Sequence, residues 1–228
     1  MTVSAPDTPL ASLPAFGTAT LPAQIHEYLE EAIIQGDIAP GSRLRADELA
    51  AHYGVSRIPV REALRSLQEA GWVEIRPRSG VYVREHSEVE LRELFEARAV
   101  IEAELASLAA RRRDDSDLTL FGQAIERARS AASAGDALEL GRASVAFNAA
   151  IRSAAGNSVL AAVSLSLEKR ARFYFSMIAD RFGSDWVHVE EQLAAHIANQ
   201  SSAAAAECQR EHVLATGAAV QRLLEERA

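Results

Sequence analysis

Between residues 89 and 113, apolar side chains recur three and four positions apart, at Leu91, Leu94, Phe95, Ala99, Ile101, Leu105 and Leu108. That spacing follows the 3.6-residue period of a helix with one buried stripe. The pattern runs on to the C-terminus without strand-like alternation. It is interrupted at Arg113-Asp-Asp-Ser-Asp117, Gly135-Asp136, Gly156-Asn157, Gly183-Ser184 and Ser201-Ser202. Breaks of this kind divide residues 85–228 into roughly six helices of bundle length. All seven prolines lie between Pro6 and Pro77. Beyond them the chain is packed with Ala, Leu, Glu and Arg, which are good helix formers.

The first third is punctuated differently. Residues 1–20 are rich in Pro, Ser, Thr and Ala and read as a mobile tail. Residues 21–35 form an amphipathic helix with Ile25, Leu29, Ala32 and Ile33 on one face, ending at Gly36. After the turn Asp37-Ile-Ala-Pro-Gly41, residues 46–52 make a short helix with Asp47 and Glu48 in the first turn, where the helix dipole favours acids. Gly54 ends it. Ser56 is placed as the N-cap of the next helix, which tolerates Pro59 in its first turn and runs to about Ala70. Residues 72–75 and 81–83 then read as two short strands joined by Arg76-Pro-Arg-Ser-Gly80. The expected fold class is mainly α: a winged helix-turn-helix over residues 21–84, then an all-α six-helix bundle over residues 85–228.

Composition changes this picture little. The 228-residue chain is 48% hydrophobic and 25% charged, ordinary for a globular protein of two small domains. No apolar run is long enough for a membrane span, and no basic start followed by an apolar block marks a signal peptide. Cys208 is the only cysteine, so an intramolecular disulfide is excluded and a reducing cytoplasm is expected. Charge matters through its distribution. The net charge is −8, yet residues 56–84 carry six Arg against three Glu, while residues 21–55 carry two Arg against six acids. A basic stretch within an acidic body suits a local nucleic-acid face.

The geometry of that stretch is more specific than its charge. A helix, a tight turn containing Gly and a second, basic helix make a helix-turn-helix, whose second helix enters the major groove. Ser56 and Arg57 open that helix, and Arg57, Arg61 and Arg65 recur every fourth residue along one face, leaving Val60, Ala63, Leu64 and Leu67 for packing. Arg57 and Arg61 can donate bidentate bonds to guanine or phosphate. Arg76 and Arg78 lie at the hairpin tip, and Gly80 lets main chain approach DNA.

The series Leu44-x4-Leu49-Ala50-x3-Gly54-Val55-Ser56-Arg57-x-Pro59-Val60-Arg61-Glu62-Ala63-Leu64-x2-Leu67, followed by Gly71-Trp-Val and Gly80-Val-Tyr-Val, resembles the signature of the GntR family of bacterial transcription regulators. The resemblance implies base contacts from Arg57 and Arg61, with Arg45, Ser56 and the wing around Gly80 touching DNA as well. The helical half resembles the FCD domain of the FadR subfamily in its shorter form. The likeness is carried by Leu94-Phe-Glu-Ala-Arg98-x3-Glu102-x6-Ala109-Ala110, Phe147, Gly156-Asn157 and His212.

Many FCD domains hold a divalent metal on an Asp, a His four residues later and two further His about 22 apart. Aligned on Phe147 and Gly156-Asn157, this chain places Ser144, Asn148 and Glu190 where three of those ligands belong and keeps only His212. Hydroxyl and amide groups are poor divalent ligands, so no metal or other cofactor is expected. Ser144, Asn148, Glu190 and His212 remain candidates to line an effector pocket, with Arg98 pairing a carboxylate. The alternative reading makes His212 a satisfied, partly buried histidine and Arg98 an internal ion-pair partner. His188 and His196 fall at no ligand position and read as surface or packing residues. Phe173-Tyr-Phe175, Phe182 and Trp186 read as core or dimer interface.

The resulting expectation is a ligand-responsive, cytoplasmic transcription regulator that binds a palindromic operator in double-stranded DNA as a homodimer. Its effector is a small molecule, by resemblance an organic acid, and no membrane is involved. One alternative is a constitutive repressor with a vestigial pocket. The other is an enzyme carrying a DNA-binding head, although the chain shows no phosphate loop, nucleophile elbow or paired Cys ligands.

Overall fold

The computed structural model describes residues 19–175 and 186–226, which fall into two compact units dividing between Ser87 and Glu88. In the first, α1 (Leu21–Gln35) starts with Pro22 in its first turn and stops at Gly36, whose φ of 84° only glycine adopts cheaply. Ile25, Leu29, Ile33 and Ile34 are buried; Ile34, and not the expected Ala32, completes the face because the larger side chain removes more apolar area from water. Helices α2 (Ala46–Tyr53) and α3 (Arg57–Glu69) are joined through Gly54 in the left-handed conformation. Ser56 stands at the N-cap of α3 with extended backbone, but its side chain makes no capping hydrogen bond.

Strand β1 (Arg43–Leu44) was not foreseen; it joins β2 (Val73–Arg76) and β3 (Gly80–Val83) in an antiparallel sheet of order β1-β3-β2. Arg43 pairs with Tyr82, Leu44 with Val81, and Arg76 with Gly80. Leu44, Leu49, Val60, Ala63, Leu64, Leu67, Trp72 and Val83 are buried with the apolar face of α1. Trp72 donates through Nε1 to Glu30 on α1 at 2.9 Å, which ties the root of the hairpin to the first helix.

The second unit comprises α4 (Glu88–Arg112), α5 (Asp115–Ala134), α6 (Ala137–Ala155), α7 (Ser158–Phe175), α8 (Trp186–Ala198) and α9 (Ser202–Glu225). Among the described residues these are the six helices expected, and the turns at Gly135, Gly156 and Ser201 fall where the sequence breaks. The break at Gly183-Ser184 lies outside the described residues, as does Phe182. Helix α4 is central. Thirteen of its 25 residues are buried, too many for one stripe, because α6, α7, α8 and α9 all pack against it. Gly217 lets α9 approach it closely: a Cβ there would meet Phe95 Cγ at 2.6 Å. The C-terminal end of α4 caps two neighbours, since Arg112 donates to the carbonyl of Ala155 at 2.6 Å and Arg113, just beyond the helix, to that of Ala198 at 2.6 Å. Both carbonyls lie at helix C-termini, where the negative end of the dipole also attracts a cation.

Candidate nucleic-acid interface and bundle interior

The exposed face of α3 carries Arg57, Arg61 and Arg65. Arg57 donates to Asp47 of α2 at 2.8 Å with both side chains about two-thirds exposed (64% and 65%). Arg45 meets Glu48 at 2.9 Å and Arg65 meets Glu69 at 3.3 Å. Among the described residues Arg61 forms no hydrogen bond or ion pair, which leaves it the uncompensated cation of this face. The first turn of α3 contains no acidic residue, in contrast to those of α2 and α5, which carry Asp47 and Glu48, and Asp115 and Asp117.

In the hairpin, Arg76 is not a free tip residue. Its guanidinium pairs with Glu74 and, at 3.4 Å, with Glu85, and it lies 4.5 Å from the centroid of the Tyr82 ring. The two carboxylates hold the Arg76 guanidinium above its already high ordinary pKa, the Glu74 hydrogen bond contributing most. Arg78 forms the actual tip. The Ser79 N–H donates to the Arg76 carbonyl at 3.0 Å, and Arg78 takes a φ of 62°. Pro77 followed by a positive φ is the geometry of a type II turn, which ordinarily selects Gly or Asn at that place. Gly80, expected to admit DNA, also has an internal reason to be glycine. Its φ is 122°, and a Cβ there would stand 3.1 Å from Nε of Arg43. Arg43, missed in the sequence because a two-residue strand has no readable period, lies over Gly80 and 6.0 Å from the Tyr82 ring centroid.

The candidate pocket residues fall in the bundle interior in two groups. Arg98 donates through Nε to Glu102 at 2.8 Å, with both side chains only 8% exposed, and lies 4.9 Å from the Phe95 centroid. Gln209 of α9 donates to the other Glu102 oxygen at 3.0 Å. His212 sits beside this pair; burial pushes its imidazole below the usual range, with Glu102 opposing and Arg98 adding to the shift. Nη1 of Arg98 is buried without a hydrogen-bond partner. In the second group Ser144 donates to Glu190 Oε1 at 3.0 Å, while Glu190 Oε2 is buried and unpartnered. Burial pushes the Glu190 carboxyl up to about 8, only partly offset by the Ser144 hydroxyl. At neutral pH it is mostly the neutral acid.

Asn148 lies one turn from Ser144 and lines a cavity of about 10 Å³ with Glu102, Leu105, Ile151, Arg152, Ser164 and Gln209. That is room for about one water molecule. Arg152 and Glu168, not anticipated because they meet across two helices, form a second buried pair at 2.8 Å. Among the described residues no three His, Cys, Asp or Glu side chains converge as metal ligands would.

The other candidates fall outside these groups. His188 is exposed and His196 half-buried; Phe173 and Tyr174 are core residues, and Phe175 packs edge-on against Phe95. Cys208 is half-buried, and burial raises its thiol pKa, with Glu211 adding to the effect. No helix among the described residues is long and apolar enough to cross a membrane.

A three-stranded winged helix-turn-helix joined to an all-helical domain whose apolar core encloses a few buried polar pairs defines a class of two-domain regulator. Comparison with known proteins supplies the family. Residues 21–83 match the bacterial regulatory proteins of the gntR family, and residues 93–215 match the FCD domain. The chain therefore belongs to the GntR family and carries an FCD domain, which places it among transcription regulators and not among enzymes.

It is similar to the "Probable D-xylose utilization operon transcriptional repressor" of Paenarthrobacter nicotinovorans, 32% identical over 141 residues, 62% of each chain. It is also similar to the HTH-type transcriptional repressor RspR of Escherichia coli K12, 40% identical over 87 residues, 38% of each chain. The chain thus spans less than two thirds of these curated relatives. Among solved structures, a GntR regulator from Rhodococcus sp. RHA1 matches at 25% identity and a TM-score of 0.73, covering 87% of this chain and 96% of that one. Escherichia coli McbR/YncC shares the fold at 22% identity and a TM-score of 0.76, over 90% of this chain and 99% of that one.

Proposed function

We propose that this regulator binds a short palindromic operator as a cytoplasmic homodimer and represses transcription, with a small-molecule effector taken up in the helical domain. The observation that carries the DNA-binding part is the exposed α3 face: Arg57, Arg61 and Arg65 on one side, no acid in its first turn, and a protein of net charge −8 around it. An acidic body repels phosphate everywhere except where cations are gathered. Ser56, its hydroxyl unused in capping, and the arginines Arg45, Arg76 and Arg78 complete the phosphate contacts. A two-fold dimer doubles the few base pairs that one helix reads. The relatives named as repressors support the direction of regulation.

Arg98, Asn148, Glu190 and His212 support effector binding, because two of them hold buried atoms without partners and a third faces the cavity. A carboxylate on the effector would satisfy Arg98 Nη1. The cavity that Asn148 lines has space for about one water, too little for an effector, and this favours a second reading in which the domain binds no effector and repression is constitutive.

Titration of the promoter region beside its own gene in a mobility-shift assay at rising salt tests the first part. A sequence preference that survives moderate salt is expected, and uniform binding that disappears with salt overturns it. Thermal unfolding with a panel of small carboxylic acids separates the two readings of the bundle, since a ligand of the folded state alone raises the midpoint.

A further inference from the structure

We infer that Ile58 is a base-reading residue that packs on the 5-methyl group of a thymine in the major groove. The inference deepens the proposed function and rests on it.

Ile58 is 68% exposed, whereas the other aliphatic residues of α3, Val60, Ala63, Leu64 and Leu67, are all buried. A single exposed apolar residue needs no explanation in itself; this one is set apart by where it stands. It is the second residue of α3, between Arg57 and Arg61 and on the same exposed side of the helix. A recognition helix presents its N-terminal residues to base edges.

Local stability gives no reason for it. The first turn of a helix favours Asp, Glu, Ser or Thr, since the N-terminal dipole attracts negative charge and orphan N–H groups need acceptors. A β-branched apolar side chain in solvent is a poor choice for a helix. Here the first turn reads Arg57-Ile58-Pro59, with a cation set against the dipole and no acid. Acid-free first turns also open α1, α7, α8 and α9, and Arg57 is paired with Asp47, so what stands without a local gain is the exposed β-branched Ile58; a local rule broken in that way marks a functional surface.

The chemistry then selects the partner. Ile58 is flanked by two guanidinium groups whose natural partners are guanine and phosphate, so the surface fits DNA and not an apolar protein face. In the major groove the one apolar feature a base edge offers is the thymine methyl. Ile58 has no polar atom with which to read anything else. The arginines therefore recognise donor and acceptor patterns, while Ile58 distinguishes thymine from cytosine at an adjacent step.

The test uses the full-length chain and a duplex recovered by its own selection from a random-sequence library. Each thymine of that duplex is replaced in turn by deoxyuridine, which removes only the methyl. Burying one methyl corresponds to about a fourfold change in affinity. One thymine per half-site is expected to show that loss with the wild type and none with Ile58→Ala, which keeps its preference at the guanine positions. The variant should fold, because the side chain it loses is exposed; its unfolding midpoint checks this. Methyl sensitivity that persists in Ile58→Ala, or a wild type indifferent to every deoxyuridine replacement, overturns the inference while leaving DNA binding standing. Failure of the selection to enrich any duplex overturns the DNA-reading proposal and this one with it.

Discussion

Two arginine–carboxylate pairs in this protein have the same length and opposite consequences. Arg57 and Asp47 meet at 2.8 Å in solvent; Arg98 and Glu102 meet at 2.8 Å in the bundle interior. In water the first pair gains little, because both groups are well hydrated when apart and salt screens them. In the proposed DNA complex it would exchange Asp47 for a phosphate or a guanine at small cost. Inside the bundle neither partner has water to return to, and Gln209 holds the second carboxylate oxygen. That pair does not exchange, so it sets the shape of the interior and leaves Arg98 Nη1 buried without a hydrogen-bond partner. The reader domain keeps its charges negotiable and the bundle keeps its charges fixed.

Removing one partner from the buried pair gives the largest expected effect. Glu102→Ala strands Arg98 and His212 in the interior and should lower unfolding free energy by about 3–5 kcal/mol, measured by urea denaturation. The double change Arg98→Met with Glu102→Leu should recover most of that loss. A Glu102→Ala protein as stable as the wild type would break the contrast.

Glu190 sharpens it through pH. Its folded pKa is raised to about 8 from an ordinary value near 4.5, so the stability tied to its neutral form is full below about 4.5 and is lost as pH rises through about 8. Glu190→Gln keeps the shape without the proton. Relative to that variant, in which His212 titrates as before, the wild type should lose stability across the window, a difference on the order of a few kcal/mol at the alkaline end. Wild-type and Glu190→Gln curves that stay parallel across the window would refute the assignment.

Glycines test packing on the fixed side. Gly217→Ala forces a Cβ into Phe95 and should destabilise by about 1–3 kcal/mol despite the better helix propensity. Gly122→Ala and Gly141→Ala meet nothing within 4 Å and should each stabilise by about 0.5–1 kcal/mol. Thermal unfolding of the three variants reads both signs at once.

Smallest in stability is Asp47→Asn. It should change the folding free energy by less than about 0.5 kcal/mol while tightening DNA binding several-fold at low salt, because Arg57 no longer has a carboxylate to leave. Titrations at two ionic strengths check this, and unchanged affinity would mean that Arg57 does not reach the DNA.

Much of the architecture could be read before the structure. Helix ends were written in Gly36, Gly54, Gly135 and Gly156, which all take positive φ, and the period of apolar residues located α1, α3 and α4. What escaped depends on contacts distant in sequence. Strand β1 exists only because β3 pairs with it. The Arg152–Glu168 pair and the hold of Gln209 on Glu102 join different helices, so no spacing announces them. Ser56 was legible as an N-cap position, but whether its hydroxyl closes on the backbone is a matter of rotamer. Arg57 and Arg61 were legible as the exposed face; the absence of any partner for Arg61, and the carboxylates around Arg76, were not.

The wing tip shows what such a protein gives up. Arg78 adopts a backbone conformation that a glycine or asparagine holds with less strain. Selection for thermal robustness alone would replace it, and the hairpin would fold more readily. An exposed cation stands at the tip of the wing at the expense of the turn that carries it. Variants evolved or engineered only for heat tolerance should lose this arginine early, and with it the phosphate contact proposed for the wing.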